Sequence, residues 1–561
     1  MATDKTLSFE EVPPENVYQW FRIIYPTDRK GREEIKDLLV VEGALNPVPY
    51  AILDYILAPQ VGKSTPVCKT IVIEGRYRDR DHSKAMSSYY FKSFKQVENE
   101  CTRLHFFDHR LAPDFLDRRS AKELNRSYLG FCVLRPFARR RIGRTVLKRL
   151  RYQPTLEFPT CQGVFEVNLA GHKLRFKGSA FIEQDTMVAA CASSAIWVST
   201  TIMGTRFGLQ QRSTSEITQL ATQYLIQNRP MPSEGLVAEQ MIHCLRAMDY
   251  DPLLIGVYSQ KQAKHDIYSY IESEIPPILL CEFLPTSEGH VGHAIVGVGH
   301  GYSLPVTNPS KIRVKWPAEP ALEFARSSEW VPNILVNDDQ RGPYRKLTFI
   351  DSQTLAARIE ALYPTLTMTD QKLEEWRCPI AIDVNMPFSG YSGGEEIANI
   401  WGIIVPLPQH VLLTADQAEG KSARVIRWWH GRNKIPLPKD LVLRTYLVPS
   451  NEYKEKAKNS GMHPFVSSLL AGKPMSRWIF VTEISSVKSY NSSNPEDWLI
   501  NGQVIIDATS NAFTPDFLFF HYILDSRGVL VTMRPEHKDA EHAFSNYWVS
   551  STDYKYAGWV R

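Results

Sequence analysis

Cysteine is scarce and scattered in this chain of 561 residues: eight, at 68, 101, 132, 161, 191, 244, 281 and 378, with no CxxC pair. That spacing excludes a disulfide scaffold and a cysteine zinc site, and makes reduced thiols in a cytosol the expectation. Net charge is nearly absent too. Lys and Arg number 65 against 61 Asp and Glu, for +4, which gives no global drive toward nucleic acid or an acidic membrane. Long apolar runs are missing: the one charge-free stretch of spanning length, Thr186 to Thr205, carries seven Ser or Thr in 20 residues and reads as a buried helix rather than a membrane span. Met1 to Asn16 is acidic and Pro-containing, without the basic-then-apolar order of a secretory signal. No repeat and no low-complexity linker marks a boundary. These absences leave a cytoplasmic, multidomain chain of ordinary globular composition as the expectation.

Three regions follow from the order of strand and helix patterns. Residues 1–160 read as an α/β accessory domain, with strands at CKTIVIE (68–74) and Tyr128 to Leu134 and a helical stretch from about His82 to Leu104. Residues 161–365 open with alternating VFEVNL and KLRFKG, turn helical, and return to strands at ILLCEF, HAIVGVG and NILVND. Residues 366–561 read as a β-rich accessory domain, with strand candidates GIIVPL, LVLRTYLV, RWIFVTEI, GQVIIDA and GVLVTM. The class is therefore α+β. Within 17 residues that hold no acid, a basic run comprises Arg135, Arg139, Arg140, Arg141, Arg144, Lys148, Arg149 and Arg151. It reads as a solvated face or an internal clamp for carboxylates, with an acidic ligand or partner protein as the alternative.

Three familiar motifs fail on their context. The tripeptides Gly62-Lys63-Ser64 and Gly420-Lys421-Ser422 have Leu57 and Ala415 where a phosphate loop needs its first glycine. Gly390-Tyr391-Ser392-Gly393-Gly394 fits the G-x-S-x-G pattern of a nucleophile elbow, but Asn385 to Ser389 separates it from the strand IAIDV. It reads better as a loop capping a helix with Glu395 and Glu396 in its first turn. His290, His293 and His300 cluster downstream of Cys281, yet no HExxH occurs and the segment is broken by glycines, so no metal is expected.

The segment Gln184 to Trp197 carries more. From Cys191 the chain runs without Pro or Gly to Gly204 and sustains a buried helix, which places Cys191 in its first turn. Unpaired amides and the positive dipole end there favour negative charge, and the thiolate is the reactive form of cysteine. Ser213 to Glu216 offers a capping box for a helix through Asn228, and Ser233 opens another with Val237, Met241, Leu245 and Met248 on one stripe. A short helix from Asp266 to about Glu274 is broken by Ile275-Pro276-Pro277, which feeds the strand Ile278 to Phe283. Then come the strand Gly292 to Gly299, with His293, and the strand Ile334 to Asp338, closing on acids before Gly342-Pro343.

This order, a Gln, a Cys at a helix start, helices, a Pro-introduced strand, Gly-His on the next strand and an Asp closing the following one, resembles the papain-like cysteine peptidase superfamily. The likeness is nearest to its bacteriocin-processing, double-glycine-cleaving branch and related bacterial domains. It spans about residues 165–350. The resemblance implies a papain-like core between the two accessory domains. It implies Cys191 as nucleophile, His293 as general base and then acid, Asp338 as the residue that orients the imidazole, and Gln184 as an oxyanion donor beside the Cys191 amide. The spacing of Gln184 from Cys191 is longer than the family's pattern, and Ala192 stands where Gly or Trp is usual. Asn337 and Asp339 flank Asp338, and strand alternation would turn both to the opposite face. The implied function is cysteine peptidase action on a peptide or isopeptide bond of a peptide or protein substrate, without a cofactor. A transamidase or acyltransferase with the same triad, or an inactive peptide-binding adaptor, are the alternatives.

Overall fold

The computed structural model describes residues 21–550 apart from 42–45, 60–63, 95–96, 113, 115–119, 138, 151–155, 186, 188–189, 224–234, 287–288, 316–320, 365, 367–374, 434–439, 460–461, 493–498, 512–517, 526–527 and 534–544. Gly62, Lys63, Arg151 and Ser233 therefore lie outside the described residues, as do Met1 to Asn16.

The strands sort into three sheets. The first has seven strands, in the spatial order Phe21–Ile24, Thr70–Tyr77, Cys101–Phe107, Tyr128–Leu134, Ile142–Leu147, His172–Phe181 and Gly163–Leu169. The expected helix from His82 to Leu104 is corrected here. Helix occupies only Arg80–Ser88, and Cys101–Phe107 is a central strand. Its residues pair on both sides, with Thr70–Tyr77 and Tyr128–Leu134, so sheet partners distant in sequence override a helical local pattern.

The helices of the middle region come next: α1 (Cys191–Phe207), α2 (Thr214–Ala221), α3 (Ala238–Ala247) and α4 (Gln260–Glu272). α1 ends at Gly208, whose φ of 71° suits the left-handed cap. Ser213 caps α2 through the expected box with Glu216, but α2 stops at Ala221, short of Asn228. α4 begins at Gln260, capped by Ser259, ahead of the expected start at Asp266.

The second sheet rolls into a closed barrel. Strands β1 (Ile278–Thr286), β2 (Gly289–Tyr302), β3 (Asn333–Asp338), β4 (Gly342–Phe349), β5 (Pro379–Asp383) and β6 (Glu395–Val405) pair in sequence, all antiparallel, and β6 pairs back onto β1. Closure removes the free edges that an open sheet would expose. Glu395 and Glu396 accordingly open a strand and not the expected helix, because the β-branched residues that follow find partners on both flanks. The Gly390 to Gly394 loop is a hairpin connection in which Met386 bridges Tyr391, so Ser392 has no elbow geometry.

The third sheet has eight strands, in the order Lys311–Val314, Leu322–Arg326, Leu441–Pro449, Trp478–Ser486, Gly502–Asp507, Leu518–Asp525, Gly528–Met533 and Ser545–Ser550. Helix Ala415–Asn433 packs on it and contains Gly420-Lys421-Ser422, with Ser422 buried against Thr482, so that tripeptide wraps no phosphate. Sheet membership crosses the segment limits read from the sequence: 163–181 completes the first sheet, 311–326 joins the third, and β5 and β6 close the barrel from beyond residue 365. Helix and strand occur in near-equal shares, and the class is α+β. One apolar core joins α1 to the barrel through Ile196, Trp197 and Ile202 against Ile278, Ile295, Val296 and Ile334. Among the described residues no helix is long and apolar enough to cross a membrane.

Candidate active site

α1 begins at Cys191 after Ala190, an extended N-cap whose side chain offers no hydrogen bond. The first intrahelical bond there runs from the Ser194 amide to the Ala190 carbonyl, so the Cys191, Ala192 and Ser193 amides stand unpaired within the helix. Burial of Ala192 through Gly204 fixes the helix in place. Trp197 donates through Nε1 to Asp81 at 3.1 Å and Ser199 donates to the Pro276 carbonyl at 2.7 Å, pinning α1 to the first sheet's helix and to the chain entering β1. All eight cysteines are free thiols. Seven are buried and Cys191 is half-buried.

β2 carries His293 opposite Cys281 of β1. The imidazole donates from Nε2 to Asp338 Oδ1 at 2.9 Å, and the Cys191 side chain is close enough to the ring to favour its charged form. With Nε2 committed to Asp338, Nδ1 is the nitrogen left for the thiol. Gln340 Nε2 stands 3.4 Å from that same Nδ1. The juxtaposition follows from register: β2 and β3 are antiparallel with Val296 opposite Asn337, so the three residues from Val296 back to His293 run alongside those from Asn337 on to Gln340.

Asp338 is held from behind. Its Oδ1 accepts from the Gln340 amide at 2.9 Å and its Oδ2 from Arg341 Nη1 at 2.9 Å. Arg341 in turn binds Glu396 of β6 through Nε at 3.0 Å and through Nη2, and its guanidinium lies 3.9 Å from the centre of the Phe283 ring. That ring meets His293 edge-on at 5.6 Å. Glu396, Arg341, Asp338 and His293 thus form one chain of polar contacts across three barrel strands and the turn after β3, ending beside Cys191 at the start of α1.

The electrostatics follow from burial and charge. Burial pulls the His293 imidazole down, but the charge and hydrogen bond of Asp338, with Cys191 beside it, win and raise it to about 10. Burial would raise Asp338, yet Arg341 and His293 hold its carboxyl well below the usual range. Asp339 goes the other way: burial pushes it up to about 7, with His293 opposing and Asp338 adding to the rise.

Of the residues singled out in the sequence, the structure brings Cys191, His293 and Asp338 together. Gln184 is buried in the stretch that links Phe181 to α1, and none of the site's hydrogen bonds described above involves it. Asn337 turns away as alternation requires, donating to Ser179 Oγ at 3.0 Å and the Ala180 carbonyl at 2.7 Å. Asp339 does not. β3 ends at Asp338, the turn that follows breaks the alternation, and an Asp339 oxygen lies 3.5 Å from His293 Nε2. His300 is engaged elsewhere, with Glu272 at 2.8 Å, and the side chain of His290 lies outside the described residues. Arg341, Gln340 and Glu396 were missed by sequence reading. The only local signal is an Arg three residues after an Asp in a turn, a spacing that pairs the two.

Half of the basic run is engaged inside the molecule, while Arg139 is exposed. Arg135 donates to three backbone carbonyls, Arg141 to the Leu38 carbonyl, Arg144 faces Asp79 at 3.0 Å, and Arg149 grips Glu157 at 2.6 Å. His293, Asp338 and Asp339 have donor atoms close enough together to hold a metal ion, but Nε2 is already the donor to Asp338 and the cluster includes the residues that face the thiol.

A scan against protein-family models finds no match to this chain, and a search among curated proteins finds none either.

Proposed function

We propose that the chain is a cysteine hydrolase of the papain-like kind, cleaving a peptide or isopeptide bond. The observation that carries the reading is His293 held between Asp338, at 2.9 Å, and Cys191 in the first turn of a buried helix. In this reading Asp338 keeps the proton on Nε2 and so presents Nδ1 to the thiol. The thiol proton passes to the imidazole, and the thiolate attacks the substrate carbonyl. The tetrahedral oxyanion is received by the Cys191 amide, unpaired within the helix, with Gln184 as a second donor. His293 protonates the leaving amine, and water attacks the thioester with His293 as base. No cofactor enters these steps. The closed barrel following the helices supports the papain-like assignment of the core, and the flanking sheets supply surface for substrate recognition.

Alkylation by iodoacetamide, followed by peptide mapping, tests this. Cys191 is expected to react at least ~10-fold faster than each of the buried seven, and to lose that advantage in His293→Ala. Reaction of Cys191 at the rate of the other seven would sink the proposal. Mass analysis of products with and without added amine separates hydrolysis from acyl transfer.

A further inference from the structure

α4 packs against β2 and also against helix Ala415–Asn433 of the third-sheet region. At that second contact three ligand-type side chains converge. His265 of α4 is buried, and its Nε2 has no hydrogen-bond partner. Glu419 is buried as well, with Oε2 equally unpartnered, and the two atoms are 3.7 Å apart. Asp416, three residues earlier on the same helix, brings a carboxylate oxygen to the same place, so that one donor atom from each residue lies within 4.8 Å of the others. Arg326 does not fill the gap. It takes the other oxygen of Glu419, Oε1, at 2.6 Å through Nε, and Asp416 Oδ1 at 2.5 Å through Nη2, and so holds both carboxylates in position.

Unpartnered buried donors are rare in folded proteins because each loses its water without replacement. Here two of them face each other. Burial, with Arg326 nearby, keeps the His265 imidazole well below its ordinary value, hence neutral with a lone pair to give. Burial raises Glu419 to about 7, and Asp266, hydrogen-bonded to Gln262 on the same helix, to about 7.

We propose that His265 Nε2, Glu419 Oε2 and an Asp416 carboxylate oxygen form a binding site for a divalent first-row transition cation of the Zn²⁺ class, outside the Cys191 site. One imidazole and two carboxylates are a ligand set suited to such ions. Donors about 2.1 Å from a tetrahedral ion stand roughly 3.4 Å apart, so His265 and Glu419 at 3.7 Å need only a small approach, and the exposed Asp416 side chain, within 4.8 Å, swings in to complete the set. Asp416 is exposed, which gives the ion an entry path and leaves room for water as a fourth ligand. Two carboxylates against one guanidinium leave a single negative charge, and any proton on Glu419 is released to solvent as the ion binds. The ion would tie α4, and through it the His293 strand, to the third-sheet helix.

Equilibrium dialysis of the full chain in the Cys191→Ala background, with Zn²⁺ alone, tests the site. One ion per chain is expected, with affinity falling at least ~10-fold in Asp416→Ala and at least ~100-fold in Glu419→Gln. Zn²⁺ is also expected to raise the Tm of the parent protein and not that of Asp416→Ala, a surface substitution that leaves the core intact. Absence of sub-millimolar binding by the parent protein would overturn the proposal. So would binding that survives both substitutions, or that is lost in His293→Ala instead.

Discussion

Cys191, His293 and Asp338 are each ordinary in isolation, and their neighbours give them chemistry. Replacing Cys191 or His293 by Ala is expected to abolish turnover. Asp338→Asn should lower kcat by roughly 10²–10⁴-fold, because the imidazole loses the partner that sets its tautomer, as steady-state assays would read. The titrations carry signs that can be checked. His293, raised to about 10 in the fold, contributes stability that is fully present below its unfolded value and lost as pH rises through about 10. Asp338, depressed, contributes stability present above its unfolded value and lost as pH falls through the folded one. Asp339 has the opposite sign for an acid. Raised to about 7 with both carboxylate oxygens lacking hydrogen-bond partners, it costs stability progressively as pH rises from about 4 through about 7. Asp339→Asn should therefore raise stability at pH 8 by on the order of 2 kcal/mol and change little below pH 4, a difference that denaturant unfolding at the two pH values would measure.

Among the elements, β2 has a packing requirement that bears on the site. A Cβ at Gly299 would sit 2.6 Å from the Phe158 carbonyl oxygen and 2.9 Å from Pro159 Cα, both backbone atoms that cannot rotate aside. Gly299→Ala is expected to cost roughly 1–3 kcal/mol and to lower Tm, with activity at low temperature falling only as the His293 strand shifts. The alternation of small and apolar residues in Gly292 to Gly299 made this strand legible. So did the Pro276-Pro277 break before β1 and the charge-free run of α1. Local patterns misled where two periods competed: Cys101–Phe107 reads as the end of a helix until two sheet partners claim it, and Glu395–Val405 reads as a helix start until β1 and β5 pair with it.

At the scale of the molecule, barrel closure determines what folds as a unit. β1 pairs with β6 across a sequence gap that no local signal bridges. A fragment of residues 161–365 lacks β5 and β6 and strips Gly163–Leu169 and His172–Phe181 of the rest of their sheet. Expressed alone, it should show no cooperative thermal transition by circular dichroism, whereas the full chain should. The contact between α1 and the third-sheet region, through Arg206 and both carboxylate oxygens of Glu452 at 2.7 and 2.6 Å, points the same way.

By itself the sequence determined the order of the Cys191 helix, the His293 strand and the Asp338 strand, and the position of Cys191 at a helix start, because periodicity, caps and Gly or Pro breaks act over a few residues. Tertiary structure alone decided that Asp339 faces the imidazole, that Arg341 and Glu396 brace Asp338, that Arg135, Arg141, Arg144 and Arg149 are engaged internally, and that the barrel closes. Each depends on where a turn ends or which distant strands become neighbours, and those are set by burial and pairing over the whole fold.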